Sequence, residues 1–177
     1  MKDVELRLFA ELIKNSRRSD RELARELGTS QPTITRIRSK LEKEGKIREY
    51  TMIPDYVSLG FQMMSITFFT LTQPLSGETL ENARKINREM MKKNPTANIL
   101  AMNGMGCEAD RVVIALHRDY SEYVEFVRMT KQHPAVSAEH LKSFIIDLLD
   151  TSSFQPLSFF QLANYLLTTK GKPPDKK

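Results

Sequence analysis

The stretch S-D-R-E-L-A-R-E-L-G-T-S-Q-P-T-I-T-R-I-R-S-K-L-E-K-E-G-K-I-R-E-Y, Ser19 to Tyr50, decides the reading of this chain. Ser19 and Glu22 have the spacing of a capping box, in which the hydroxyl takes the N3 amide and the carboxylate reaches back to the cap amide. Leu23, Ala24 and Leu27 then share one helical face, and Gly28 supplies the left-handed residue that ends the helix. Ser30 caps a second helix, with Pro32 in its first turn, where no intrahelical donor is lost. Ile34, Ile37 and Leu41 recur at helical spacing and point inward. Ala24 is small where the two helices cross. The spacing predicts a helix-turn-helix whose second helix is placed to enter a DNA major groove.

The outer face of that second helix fits such a role. Opposite the Ile34–Ile37–Leu41 stripe stand Pro32, Thr35, Arg36, Ser39 and Lys43, with Gln31, Thr33 and Lys40 on the flanks. Hydroxyl, amide and basic groups of this kind contact base edges and phosphates. The candidate DNA-binding set is therefore Gln31, Thr33, Thr35, Arg36, Ser39, Lys40 and Lys43. A plain solvated helix more often carries glutamate–lysine pairs on its outer face.

Outward from this core, Val4, Leu6, Leu8, Phe9, Leu12 and Ile13 predict an amphipathic first helix completing a three-helix domain. Ile47–Ile53 alternates like a strand in the wing position, and Pro54–Gly60 reads as a hinge. Composition changes at Phe61. Phe61–Thr72 reads as an inner strand apolar on both faces. A helix from Ser76 follows, with Leu80, Ala83, Ile86 and Met90 inward, and then a strand Ala97–Met102. A glycine-bearing turn Asn103–Gly106 leads to a strand Arg111–His117. Asp119 and Glu122 cap a helix burying Tyr123, Phe126 and Val127, and Val136–Leu148 is the fourth strand. The order βαββαβ predicts a ferredoxin-like unit with both helices on one face, so that the other needs a cover, most simply a second copy of the chain. The fold class is α+β. Residues 1–53 form the winged helix-turn-helix, 54–60 the hinge, 61–150 the βαββαβ domain, and 151–177 a helical extension with a disordered tail from Gly171. The apolar face of Pro156–Thr169 is too wide to leave in water. It is expected to dock on the sheet or on a neighbouring subunit, burying Phe159, Phe160, Leu162 and Leu166.

The 177 residues are 40% hydrophobic and carry a net charge of +5. Residues 1–50 hold 13 Lys+Arg against 9 Asp+Glu, so the basic excess lies with the helix-turn-helix, as a polyanionic partner requires. A single cysteine excludes an internal disulfide framework, and no leader or apolar span of ~20 residues is visible. A cytoplasmic protein is expected, with no membrane partner. His117, His133 and His140 lack metal-ligand spacing, so no metal, cofactor or catalytic residue is assigned. Gly104-x-Gly106 joins two strands and lacks the context of a nucleotide loop.

A winged helix-turn-helix, a hinge and a βαββαβ domain together resemble the Lrp/AsnC, or feast/famine, family of prokaryotic transcription regulators over residues 1 to about 149. The most specific run is Leu23, Gly28, Ile34, Arg36, Ile37, Leu41, Gly45 and Ile47. The resemblance implies a DNA-binding homodimer or higher oligomer, double-stranded DNA as partner, and an amino-acid effector held between subunits. By that resemblance Gly104, Gly106 and Asp110 are the candidate effector residues, Asp110 facing an ammonium group. The family's Gly-x-x-Asp loop here reads Cys107-Glu108-Ala109-Asp110, with Gly106 one place early. A plain inter-strand turn with Asp110 in a local backbone hydrogen bond accounts for these residues equally well. The alternative on the same architecture is a siroheme-decarboxylase-like enzyme. It needs a degenerate recognition helix and histidine and arginine pairs around a large pocket.

Overall fold

The structure is a computed structural model and describes residues 3–152 and 157–168. The chain forms two compact units, one of residues 1–53 with 154–177 and one of residues 54–153.

In the first unit, α1 (Asp3–Lys14), α2 (Asp20–Leu27) and α3 (Gln31–Lys43) enclose one apolar core. Leu8, Leu23, Ile34 and Leu41 are wholly buried there, with Leu12, Ala24, Leu27 and Ile37 around them. Each helix end has a chemical cause. Ser19 accepts from the Glu22 amide while Glu22 accepts from the Ser19 amide, the reciprocal box its spacing predicts. Gly28 takes φ 65°, ψ 40°, and the Thr29 amide bonds back to the Ala24 carbonyl, closing α2 in a Schellman turn. The Ser30 hydroxyl accepts from the Thr33 amide at the start of α3.

One expectation fails in this unit. The alternating segment Ile47–Ile53 is not a strand. Alternation makes a strand only where a neighbour supplies the ladder, and none pairs with it here. Ile47 alone packs on the core, while Met52 and Ile53 are exposed. The tail helix, α6 (Phe160–Thr168), lies against α1. Ala163 is its wholly buried residue, and the Lys14 ammonium sits 5.7 Å from the Phe160 ring. A small residue lets the two helices approach, which leaves Phe159, Phe160 and Leu162 exposed and Leu166 half-buried. The expected tail from Gly171 lies outside the described residues.

In the second unit, β1 (Met63–Leu71), β2 (Ala97–Gly106), β3 (Ala109–His117) and β4 (Val136–Asp147) form an antiparallel sheet in the order β2-β3-β1-β4. With α4 (Gly77–Lys93) and α5 (Tyr120–Gln132) this is the ferredoxin-like arrangement. Asp119 caps α5 by accepting from the Glu122 amide, and Glu122 accepts from the Arg118 amide.

The register sorts the sheet's two faces. Toward the helices β1 presents Ser65, Thr67 and Phe69, all buried, so this face of the inner strand is polar in part and not apolar as expected. The hydroxyls are tolerated because each has a partner: Ser65 bonds His117 Nε2 at 2.8 Å and Thr67 bonds the Ser143 hydroxyl at 2.9 Å. The opposite face carries Met64, Ile66 and Phe68, aligned with Leu116, Ile114 and Val112 on β3 and with Ile146, Phe144 and Lys142 on β4.

His117 lies among Ser65, Tyr123 and Phe126, with ring centroids 5.5 and 5.3 Å from the two aromatics. Burial pushes its imidazole below the ordinary value of 6.5, opposed by the Glu122 charge. The unfolded chain therefore binds the extra proton first as pH falls, so this contribution to stability is full above about pH 6.5 and declines below it. Urea midpoints measured between pH 8 and pH 5 should fall over the acid half, and His117→Gln should flatten that dependence. A wild-type midpoint that stays level below pH 6.5 refutes this role.

Candidate nucleic-acid interface and hairpin site

The recognition surface is built by fixing α3 against α2. The carboxylate of Asp20, the first residue of α2, receives Arg38 Nη2 at 2.7 Å and the Thr35 hydroxyl at 2.6 Å. Arg38 also donates to the Arg18 carbonyl at 3.1 Å, and its guanidinium stands 5.9 Å from the Tyr50 ring. On the other side of α3, Lys40 reaches the buried carboxylate of Glu5 on α1 at 2.6 Å. That hydrogen bond holds the Lys40 ammonium above its ordinary value of 10.5.

These ties sort the candidate DNA residues. Gln31, Thr35, Arg36 and Lys43 are exposed on one side of α3, with Thr33 and Ser39 half-buried beside them. Arg36 makes no hydrogen bond or ion pair among the described residues, and neither does Lys43. Lys40, expected to be free for phosphate, is instead engaged with Glu5 and, at 3.8 Å, with Glu44. The Thr35 hydroxyl donates within the chain, to Asp20 or to the Gln31 carbonyl at 3.1 Å, which leaves its oxygen as an acceptor. Thr33 bonds the Ser30 hydroxyl at 2.9 Å. Arg21 and Arg25, not among the candidates, are exposed one turn apart on α2. Their i,i+4 spacing, visible in the sequence, sets both guanidinium groups on one face of α2.

The other candidate site lies on the β2–β3 hairpin, and its turn is not where the glycines suggest. β2 continues to Gly106 and β3 begins at Ala109, so the reversal is Cys107-Glu108. Both residues have positive φ, 53° and 57°, as the two-residue type I′ turn demands. Neither is glycine or asparagine, so the tip is held in a costly conformation by the ladder beneath it. Gly104 and Met105 fill an irregular step between the Asn103–Arg111 and Gly106–Ala109 pairs, which sets them across from Asp110. Gly104, Gly106 and Asp110 are thus together at one end of the hairpin. Asp110 accepts from the Leu71 amide at 3.3 Å and lies 3.8 Å from Arg111 Nη1. Lys142 pairs with Glu108, whose carboxyl it holds below the ordinary range. Cys107 is exposed.

Capped helices at a fixed crossing, an exposed face of Gln31, Thr35, Arg36 and Lys43, and a separate βαββαβ unit define a helix-turn-helix protein with a ferredoxin-like second domain. The sequence pattern of winged helix-turn-helix DNA-binding domains matches residues 1–48. An HTH-type transcriptional regulator of Pyrococcus horikoshii is 30% identical over 117 residues, 66% of this chain and 72% of that protein. LrpC of Bacillus subtilis is 37% identical over 68 residues, 38% of this chain and 47% of LrpC. The LrpC structure superposes with a TM-score of 0.67 at 21% identity, covering 88% of this chain and 99% of LrpC. A Neisseria meningitidis transcriptional regulator in complex with L-Met superposes with a TM-score of 0.69 at 19% identity, covering 92% and 99%. With two further Pyrococcus regulators the match spans 41% and 39% of their length. The chain belongs to the Lrp/AsnC family of transcriptional regulators.

Among the described residues, no helix is long and apolar enough to cross a membrane.

Proposed function

We propose that the chain binds specific DNA sites as a homodimer, reading bases through Arg36 and Thr35 with Gln31, Thr33 and Ser39 beside them. The observation that carries this reading is Arg36, exposed at the middle of a helix whose ends and inner face are all accounted for by the fold. Lys43 is assigned to phosphate, together with Arg21 and Arg25, while Lys40 belongs to the Glu5 pair and serves the domain's own packing. An intact recognition helix with its caps in place favours a regulator over the decarboxylase alternative. Arg36→Ala should weaken binding by about 1–3 kcal/mol and relax sequence preference. Lys43→Ala should weaken all sequences alike and lower the salt slope by about one. Mobility-shift titrations at several salt concentrations check both, and an Arg36→Ala protein with unchanged affinity and preference ends the assignment.

The apolar sheet face supports dimerisation through a second copy. Phe144 and Met102 are more than half exposed on it, beside Ile66 and Phe68, an area of apolar surface that a lone domain rarely leaves open. A two-fold axis across this face would present two recognition helices to a pseudo-palindromic site. Light scattering should show a dimer at micromolar concentration and a monomer for Phe144→Asp. A monomeric parent protein overturns the proposal.

An amino-acid effector at Gly104, Gly106 and Asp110 is the finer part of the reading. The Neisseria regulator holds L-Met, and the hairpin here brings a carboxylate against a glycine-bearing irregular step where backbone donors can approach an anion. The Asp110 contact with the Leu71 amide occupies one oxygen and leaves the other for an ammonium group. In a thermal-shift screen of the twenty amino acids, one or more should raise the melting temperature of the parent, and Asp110→Ala should remove the rise. No shift at millimolar concentration removes the site.

A further inference from the structure

The helix-covered side of the sheet is not filled. α4 is 17 residues long, yet Ala83 is its single buried residue, and its inward side chains Leu80, Met90 and Met91 are left half-buried. Between α4, α5 and the sheet is a cavity of about 260 Å³. The space is a mostly apolar cleft that opens to solvent, the concave shape in which small ligands are held.

The lining states its chemistry. Phe69, Met90, Met91, Phe126 and Met129 make most of the wall apolar. The charged side chains that line it are arginines, Arg84 and Arg111, and no carboxylate does. Arg111 lies on β3 across from Phe69, at the end of the sheet where β1 closes with Leu71. Its Nη1 donates to the Asp110 carbonyl at 2.8 Å and stands 3.8 Å from the Asp110 carboxylate, a looser contact than the Arg84 pair, and its guanidinium has further donors for a second acceptor. Arg84 is paired outward with Glu81 at 2.6 Å. His133 already has both ring nitrogens engaged, with the Ala83 carbonyl and the Ala135 amide. Arg111 is therefore the group that can orient a ligand.

We propose that this cavity binds a small monocarboxylate with an apolar tail, its carboxylate on Arg111 and its tail between Met90, Met91 and Met129. A guanidinium matches a carboxylate in planarity as well as charge. An α-amino acid is disfavoured, because its ammonium group would enter a space with no acidic side chain. A cleft of about 260 Å³ suits a small ligand with a short chain. The site lies on the opposite side of the sheet from the proposed dimer face and stands independently of it. An occupant would also give α4 the apolar contacts it lacks.

Octanoate, with ten heavy atoms, is the probe, and octanol and octylamine are the controls. The full chain is labelled with carbon-13 at the methionine methyls and titrated with each compound. Octanoate should shift Met90, Met91 and Met129 saturably at submillimolar to millimolar concentration and leave Met64 and Met102, on the open sheet face, unmoved. Octanol and octylamine should bind at least tenfold more weakly. Arg111→Gln, shown folded by circular dichroism, should weaken octanoate at least tenfold, with Arg111→Lys restoring part of the loss. Equal binding of octanol and octanoate, shifts at Met64 and Met102 in place of the cavity methionines, or no saturable shift in the parent protein overturns the proposal. Unchanged octanoate binding by folded Arg111→Gln does the same. Should Arg111→Gln fail to fold, the comparison of octanoate with octanol in the parent protein decides.

Discussion

The carboxylate of Asp20 holds the recognition helix in place. It stands at the first position of α2 and takes both the Arg38 guanidinium and the Thr35 hydroxyl from α3, positions about one turn apart. Two bonds from one partner to one helix fix rotation about the α3 axis as well as its distance from α2. Apolar packing of Ala24 and Leu27 against Ile34 and Ile37 brings the helices together, but greasy contacts tolerate small rotations that charge-assisted bonds do not. A rotation of α3 would turn Arg36 and Gln31 away from the exposed face they share, so the DNA contact proposed for that face depends on a bond inside the domain.

A comparable division of labour runs through the second unit. Period-two alternation gives β1 and β3 two distinct faces, and the chain uses them differently. The face toward α5 mixes aromatic rings with paired polar groups, Ser65 with His117 and Thr67 with Ser143. Those bonds specify how the sheet meets α5, since a slip in register would leave a hydroxyl or an imidazole buried without a partner. The other face has no such devices. It is mostly apolar and open, with Lys142 as its charged member on β4. α4 stands between these cases, apolar along one side yet barely buried, with two arginines at the edge of the space beneath it.

Where sequence patterns failed, a partner distant in the chain was responsible. Ile47–Ile53 has the alternation of a strand, but a strand is a property of two segments, and alternation cannot supply the second. The Gly104 and Gly106 signal drew the expected turn three residues early. Glycine is permissive of many conformations, whereas the ladder between β2 and β3 set the reversal at Cys107-Glu108 against local preference. Lys40 looked like any outward base on a helix, because Glu5 lies 35 residues away on another helix. The tail helix meets α1 through Ala163, in a face that also carries Phe159, Phe160, Leu162, Leu166 and Leu167.

By itself the sequence determined the elements and their ends in the first fifty residues, through capping chemistry that acts within four positions: Ser19 with Glu22, Gly28, and Ser30 with Pro32. It also determined the βαββαβ order and the apolar alternation on Val112, Ile114 and Leu116, since these follow from periodicity alone. Tertiary structure decided which polar groups are free and which are engaged. It separated Arg36 from Lys40, gave Asp20 its two ligands on α3, placed Asp110 across from the Gly104 step, and opened a cavity beside Arg111. The reason is physical: backbone conformation is set by near neighbours, whereas the availability of a charge depends on the charges that folding brings to it from elsewhere in the chain.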